Sequence, residues 1–242
     1  GSKTITGGNN LAIQNFAVKG VWSGANSIGK SIELISGYDS AVKMTAIGYN
    51  LTDTNTGSTY GGDLTFHTQP LYNSPTTPLP VRMRISSSGH VTKPASCAFN
   101  VTHNGHQNYS SAGTHTITSW KTTDSDRGFE NTTTGGYFSS GIFTAPATGA
   151  YFFTSTILLK DMNGTNDVHV YWAKNDSAHT YWETRFHGNP TGYGNYEPVS
   201  GQCVMHMDAG DTCRIKITFT GTGCGIWGSD GNWGNWGGFL IG

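Results

Sequence analysis

Charge is scarce in this chain. Only 12% of its 242 residues are Asp, Glu, Lys or Arg, about half the usual share. The 14 basic and 15 acidic residues leave a formal charge of -1. Nucleic-acid binding through bulk electrostatics needs a basic surplus and is excluded. Long apolar runs are missing too: none approaches the roughly 18 residues of a spanning helix, which excludes insertion into a membrane by that route. No signal peptide opens the chain, and Gly1-Ser2 in place of Met reads as the scar of an expressed fragment. The strong helix formers Ala, Leu, Glu and Lys are few, so a largely helical protein is excluded.

Chemistry-bearing motifs are equally sparse. No G-x-S-x-G, H-E-x-x-H or P-loop occurs. The 11 Asp and 4 Glu stand mostly in turn contexts, where Asp ordinarily makes Asx turns. No carboxylate pair can be singled out for glycoside hydrolysis. The chain therefore reads as non-enzymatic. Cys97, Cys203, Cys213 and Cys224 form no C-x-x-C pair, which excludes a zinc ribbon or a thioredoxin-type site. They read as small buried hydrophobes. A Cys213–Cys224 bridge remains the alternative, and with it the redox compartment stays open.

What is abundant points to strands and turns. There are 34 Gly, 33 Thr, 22 Ser and 18 Asn. Aromatics make 12% of the chain, including 7 Trp, and 35% of residues are hydrophobic, enough to support a core and exclude wholesale disorder. The expected class is all-β. Pro70, Pro75, Pro78 and Pro80 crowd half of the eight prolines into one extended loop. With Ser86-Ser87-Ser88-Gly89 and Lys93-Pro94 as further punctuation, residues 1–92 form one expected unit and 93–242 a second. Strands of period two are expected at 31–35, 42–47, 64–67 and 81–85 in the first unit, each with one buried and one wet face. The second unit shows the same alternation at 168–172 and 213–219. Residues 149–159 are bulky on both faces, so that strand needs cover on both sides, from a partner chain if not from its own. The segment 104–135 reads as a polar, irregular loop. His103 and His106, around Asn104-Gly105, read as an exposed turn rather than a metal site.

Five segments in order carry a resemblance. Gly141-Ile142-Phe143-Thr144-Ala145-Pro146-Ala147-Thr148-Gly149-Ala150-Tyr151-Phe152-Phe153 follows Pro94 to Phe99 and precedes Val168 to Asn175. Next come Ser200 to Met207 with Ala209-Gly210-Asp211-Thr212-Cys213, and last Gly238-Phe239-Leu240-Ile241. Together they resemble the globular head of the complement C1q/TNF-like family over about 96–242. In the first unit, Gly61-Gly62-Asp63-Leu64-Thr65-Phe66-His67-Thr68 with Val81-Arg82-Met83-Arg84-Ile85-Ser86-Ser87-Ser88-Gly89-His90-Val91 resembles a segment of bacteriophage tail fibres, Val81 standing where that pattern usually has an acid. The resemblance implies a homotrimer with a short-stranded β shaft and a C1q-like jelly-roll head. It implies a place at the distal end of a virion tail fibre, outside the cell, with other virion tail proteins upstream. It also implies binding to a host cell-surface receptor of carbohydrate or protein nature. A structural capsid or tail decoration trimer and a secreted C1q-like adhesion protein are the alternatives.

Ligand contact is expected at two places. Trp227, Trp233, Asn235 and Trp236 lie in a Gly/Asn-rich loop; Trp182, Tyr193 and Tyr196 lie in a second aromatic stretch. Rigid aromatics anchor ligands and Asn adds directional hydrogen bonds. The competing reading makes these rings plugs for the end of the sandwich or for the trimer axis. The resembling family often binds Ca²⁺, for which Asp124, Asp126, Asp161 and Asp167 are the oxygen donors on offer.

Overall fold

The computed structural model describes residues 31–35, 43–51, 62–68, 79–94, 96–121, 129–130, 136–161, 167–177, 180–187, 196–221, 224–228 and 233–241. Every described element is a strand, so the protein is all-β. The proline-rich stretch 69–78 lies outside the described residues. The chain divides into two units between Lys93 and Pro94.

In the first unit, β1 (Ser31–Ile35), β2 (Lys43–Leu51), β3 (Gly62–Thr68), β4 (Val81–Ile85) and β5 (Val91–Thr92) make an antiparallel meander in chain order. Gly89, with φ +85°, closes the β4–β5 hairpin, so the Ser/Gly punctuation is a turn inside the sheet. Asp63 explains the Gly-Asp-Leu and Arg-Met-Arg motifs together. Its buried carboxylate accepts from Arg84 Nε at 2.7 Å and from the Ser87 backbone N–H at 3.0 Å, and so ties β3 to the β4–β5 turn.

The expected division into two faces is present, and the apolar side is the more open one. Register places Ile47, Phe66 and Met83 in one row and Leu64, Ile85 and Val91 in the next, all on one face. None of the six is buried, and Val91 is 54% exposed. The opposite face, with Ala46, Asp63 and Thr65, is the covered one; Thr65 is 1% exposed. That face holds the hydrogen-bond network of Asp63 and of His67, whose Nδ1 donates to the Leu79 carbonyl at 2.9 Å. Polar groups that satisfy one another tolerate cover, and the apolar rows are left outside.

The second unit has fourteen described strands. They are β6 (Ala98–His103), β7 (Gln107–Asn108), β8 (Gly113–Thr116), β9 (Trp120–Lys121), β10 (Phe129–Glu130), β11 (Phe138–Ser139) and β12 (Ile142–Thr144). There follow β13 (Gly149–Lys160), β14 (Asp167–Lys174), β15 (Thr180–His187), β16 (Tyr196–Met207), β17 (Thr212–Phe219), β18 (Gly225–Trp227) and β19 (Gly234–Leu240). One sheet runs β6–β19–β13 with β16 on the far edge of β13; the other runs β11–β12–β17–β14–β15. The chain crosses between them at β12–β13, β13–β14, β15–β16, β16–β17 and β17–β18, which is the winding of a jelly-roll sandwich. Four short strands, β7 to β10, fall within the segment read as irregular. Tyr109, Ile117 and Trp120 supply the apolar contacts that order it.

The inward residues of each strand alternate as period two requires. Tyr151, Phe153, Ile157 and Leu159 of β13 meet Val168, Val170 and Trp172 of β14 and Ile215 and Ile217 of β17 across the sandwich. Phe99 packs against Phe143 at 5.0 Å between ring centroids and edge-on against Trp236 at 5.3 Å. Two residues of the Gly-x-Phe-Thr-Ala-Pro motif have visible reasons. Gly141 has φ +77°, and a Cβ there would overlap the Ile117 carbonyl oxygen. The Tyr151 hydroxyl donates to the Ala147 carbonyl at 2.6 Å and pins the turn before its own strand. All four cysteines are thiols, with Cys97, Cys213 and Cys224 buried. Burial pushes the Cys203 thiol up to about 12 and Cys224 to about 11.

On the outward side of β13, Thr156 is exposed while Phe152, Thr154, Leu158 and Lys160 are half-buried. Across four strands, Ala98, Phe239, Phe152 and Val204 stand in one row. Phe152 and Phe239 lie 5.4 Å apart, and Val204 is 60% exposed. Phe239 is 49% exposed as well, so the second face of this strand is only partly covered.

Two loop clamps depend on ionisation state. Asp211 accepts from Asn175 Nδ2 at 2.6 Å and from the Asp208 backbone N–H at 2.8 Å, and pairs with Lys174 at 2.7 Å. These bonds, the one from Asn175 first, hold its carboxyl well below the usual range. His103 ends β6 buried, against the expectation of an exposed turn. It stacks on Trp120 at 4.1 Å, and its Nδ1–H donates to the Ser119 carbonyl at 3.0 Å. Gly228 and Gly234 close over it so tightly that a Cβ on either would stand 2.7 Å from a His103 carbon. Burial lowers its pKa to about 4, against the smaller opposing effect of the Ser119 bond.

Both groups set an acid limit on stability. Between the ordinary histidine value of about 6.5 and the folded value of about 4, the unfolded chain takes up a proton that the fold refuses. Stability should fall by about 3 kcal/mol across that window, and in His103→Gln that part of the slope in urea midpoint against pH should vanish. The Asp211 contribution is present above the unfolded carboxylate value and fades as pH drops below about 4. Asp211→Asn should therefore lower the urea midpoint at pH 7 and lose its difference from the parent in strong acid.

Candidate ligand-binding site

The outward face of the β13 sheet changes character along its length. The apolar row at Phe152 gives way to Thr154 and Gln202, then to Asn235, Thr156 and Ser200, and ends at Lys160 and Tyr196, which face each other in register. Asn235 Nδ2 donates to Asn100 Oδ1 at 3.3 Å, and the Thr156 and Ser200 hydroxyls are 3.1 Å apart. Lys160 is eight residues from Phe152, roughly 27 Å along an extended strand.

At that far end three rings from three segments meet. β18 brings Trp227 beside β13, opposite Leu158. Tyr196, at the start of β16, stands edge-on to Trp227 at 5.1 Å, and His106, from the β6–β7 turn, lies over it at 4.0 Å. The Lys160 ammonium sits 6.0 Å above the indole and pairs with Asp161 at 3.2 Å. Asp161 adopts φ 56°, a left-handed conformation that Asp tolerates better than most residues. The Gly228 backbone N–H donates to His106 Nδ1 at 3.1 Å. Nδ1 is therefore an acceptor, and in the neutral ring the proton sits on Nε2. Trp227 is half-buried, while Tyr196 is 44% exposed. The group offers a fixed aromatic face edged by donors and one carboxylate.

Of the residues expected to touch ligand, Trp227 and Tyr196 come together here. Asn235 lies on the same sheet face, in the polar belt. Trp233 is 50% exposed, and among the described residues no ring of the cluster reaches it. Trp236 does not belong to a surface site. The closing strand extends back to Gly234, so Leu240, Gly238 and Trp236 all point inward, and Trp236 is fully buried against Phe99 and Phe138. A Cβ at Gly238 would stand 2.5 Å from the Phe153 ring. The small residue makes room for the core rings, and Trp236 is one of them. Trp182 lies on β15, where only the backbone is described, and Tyr193 lies outside the described residues.

His106 and Lys160 were missed as site residues. The Asn104-Gly105 turn signal marked where His106 sits, but its stacking partner is about 120 residues away in sequence. The Lys160–Tyr196 pairing depends on strand register, which no local pattern states.

Of the four residues offered as calcium donors, only Asp161 and Asp167 are described. Asp124 and Asp126 lie outside the described residues. Asp161 already faces the Lys160 ammonium, and the Asp167 backbone is engaged with Thr220. Among the described residues no three His, Cys, Asp or Glu side chains gather as a metal site would require.

No family model matches the chain. No curated protein sequence matches it either. Among solved structures, it is similar to Eiger TNF from S. frugiperda, with 13% identity over 61% of this chain and 93% of that one and a TM-score of 0.44. It is likewise similar to murine APRIL, with 15% identity over 60% of this chain and 99% of that one and a TM-score of 0.41.

Proposed function

We propose that this chain is the distal part of a homotrimeric attachment protein, a β shaft followed by a jelly-roll head, that holds a receptor on a cell surface and catalyses no reaction. The setting that fits is the tip of a bacteriophage tail fibre, outside the cell. One observation carries the reading. A single face of the β13 sheet is apolar at the Phe152–Phe239–Val204 end and aromatic with polar edges at the Lys160–Tyr196 end. The first end suits association between copies, the second suits a ligand.

Exposed contiguous apolar surface on a soluble protein marks a contact surface. Its cover is worth about 25 cal/mol per Å². The first unit exposes a second such face, at Ile47, Leu64 and Val91. Two apolar faces in tandem on one chain favour sister copies over two unrelated partners, since a closed rotational assembly covers both with the same symmetry operation. Three copies would then present three sites at once, so weak individual binding adds up on a repetitive surface.

Light scattering at micromolar concentration should give about three times 25.9 kDa. Val204→Asp and Leu64→Asp should each shift the protein toward smaller species. A folded, stable single subunit would overturn the assembly. Fluorescently labelled protein should also adsorb to some members of a panel of bacterial strains. A trimer that adsorbs to none would be a particle-stabilising decoration instead.

A further inference from the structure

We infer that the Tyr196–Trp227–His106 cluster is a subsite for a neutral saccharide, with one sugar ring stacked on the open face of Tyr196. The inference rests on the attachment reading and names the ligand of its outer end.

A pyranose presents an apolar face of C–H groups and a rim of hydroxyls. It is held by a flat ring against the first and by donors and acceptors around the second. The cluster has both. Tyr196 is the exposed ring, and Trp227 braces it from the side at 5.1 Å. Trp227 is itself fixed by His106 and Lys160, so little side-chain entropy remains to be lost on binding. At the rim, the Asp161 carboxylate accepts, while the His106 Nε2–H and the Lys160 ammonium donate.

Charge narrows the ligand. Lys160 and Asp161 neutralise each other at 3.2 Å, and His106 Nδ1 is already occupied by the Gly228 N–H. Among the described residues the cluster therefore offers no unpaired Lys or Arg with which to draw a phosphate, a sulfate or a polyanionic strand. A protein partner would be met by a larger apolar core than three rings supply. Inward along the sheet from Tyr196, past the Leu158–Pro198 pair, the surface turns to hydroxyls and amides at Ser200, Thr156, Gln202 and Asn235. That track would meet the hydroxyl rims of further sugar units.

The test uses the whole trimer on a printed panel of neutral hexose and N-acetylhexosamine oligosaccharides, with sialylated and sulfated ones beside them. Signal is expected on neutral members. Tyr196→Ala should weaken it by about tenfold or more, while Tyr196→Phe, which keeps the ring, should stay within about threefold. Asp161→Asn, which tolerates the same backbone conformation, should weaken it while leaving the trimer mass unchanged. Signal confined to the anionic members, no signal on the panel, or full signal in Tyr196→Ala would overturn the subsite. Adsorption of labelled protein to intact cells, measured in parallel, reads the attachment function by itself. If cells adsorb the parent and Tyr196→Ala equally, attachment stands and this subsite does not. Adsorption that survives periodate oxidation of surface glycans but is lost after protease treatment would assign the receptor to protein.

Discussion

The two-residue period of β13 is the constraint on which the head depends. Its twelve residues supply, on alternate positions, four large side chains of the sandwich core and the length of one outer surface. The inward set could hardly vary, because Tyr151, Phe153, Ile157 and Leu159 meet rings and branched chains from the opposite sheet at close packing. The outward set is free of that demand and has differentiated instead, from Phe152 through Thr154 and Thr156 to Leu158 and Lys160. A shift of one residue in its pairing would exchange the two sets and destroy both core and surface. Neighbouring strands oppose such a slip, since Gly238 and Trp236 fit the inward face only in the observed register.

How much of this was legible in the sequence depended on whether the signal was local. Alternation marked β4, β14 and β17 closely, since apolar and polar residues change places at every step. Part of the Gly141–Phe153 segment was legible for the same reason: the Tyr151–Ala147 bond spans four residues and Gly141 marks a positive-φ turn. Trp236 was misplaced because glycines on both sides of it resemble a loop, whereas here they vacate space for Phe153 and His103. Counting back in twos from Leu240 would have turned it inward. His103 was hidden by a sound local rule, that a polar residue before Asn-Gly faces water. Its burial depends on Trp120 and on two glycines more than a hundred residues further along.

The first unit shows where alternation alone falls short. Leu64 and Phe66 were correctly set apart from Thr65 and His67, but period two does not say which face is inside. Asp63 decided it. Its carboxylate had to find Arg84 and the Ser87 N–H together, and the face with that network became the sheltered one. Burial of the polar face leaves the hydrophobic driving force for the unit unspent within the chain. Cover by sister copies, as proposed, would couple folding to association.

The cysteines have a bearing on where such a protein can persist. Three are enclosed, and the fourth, Cys203, sits half-buried with its thiol held protonated up to about pH 12. Disulfide exchange and oxidation both proceed through the thiolate. A fold that withholds its sulfurs in this way is indifferent to whether its surroundings are reducing or oxidising. With no cross-link among its four cysteines, it has no covalent bond to make or break when the redox potential around it changes.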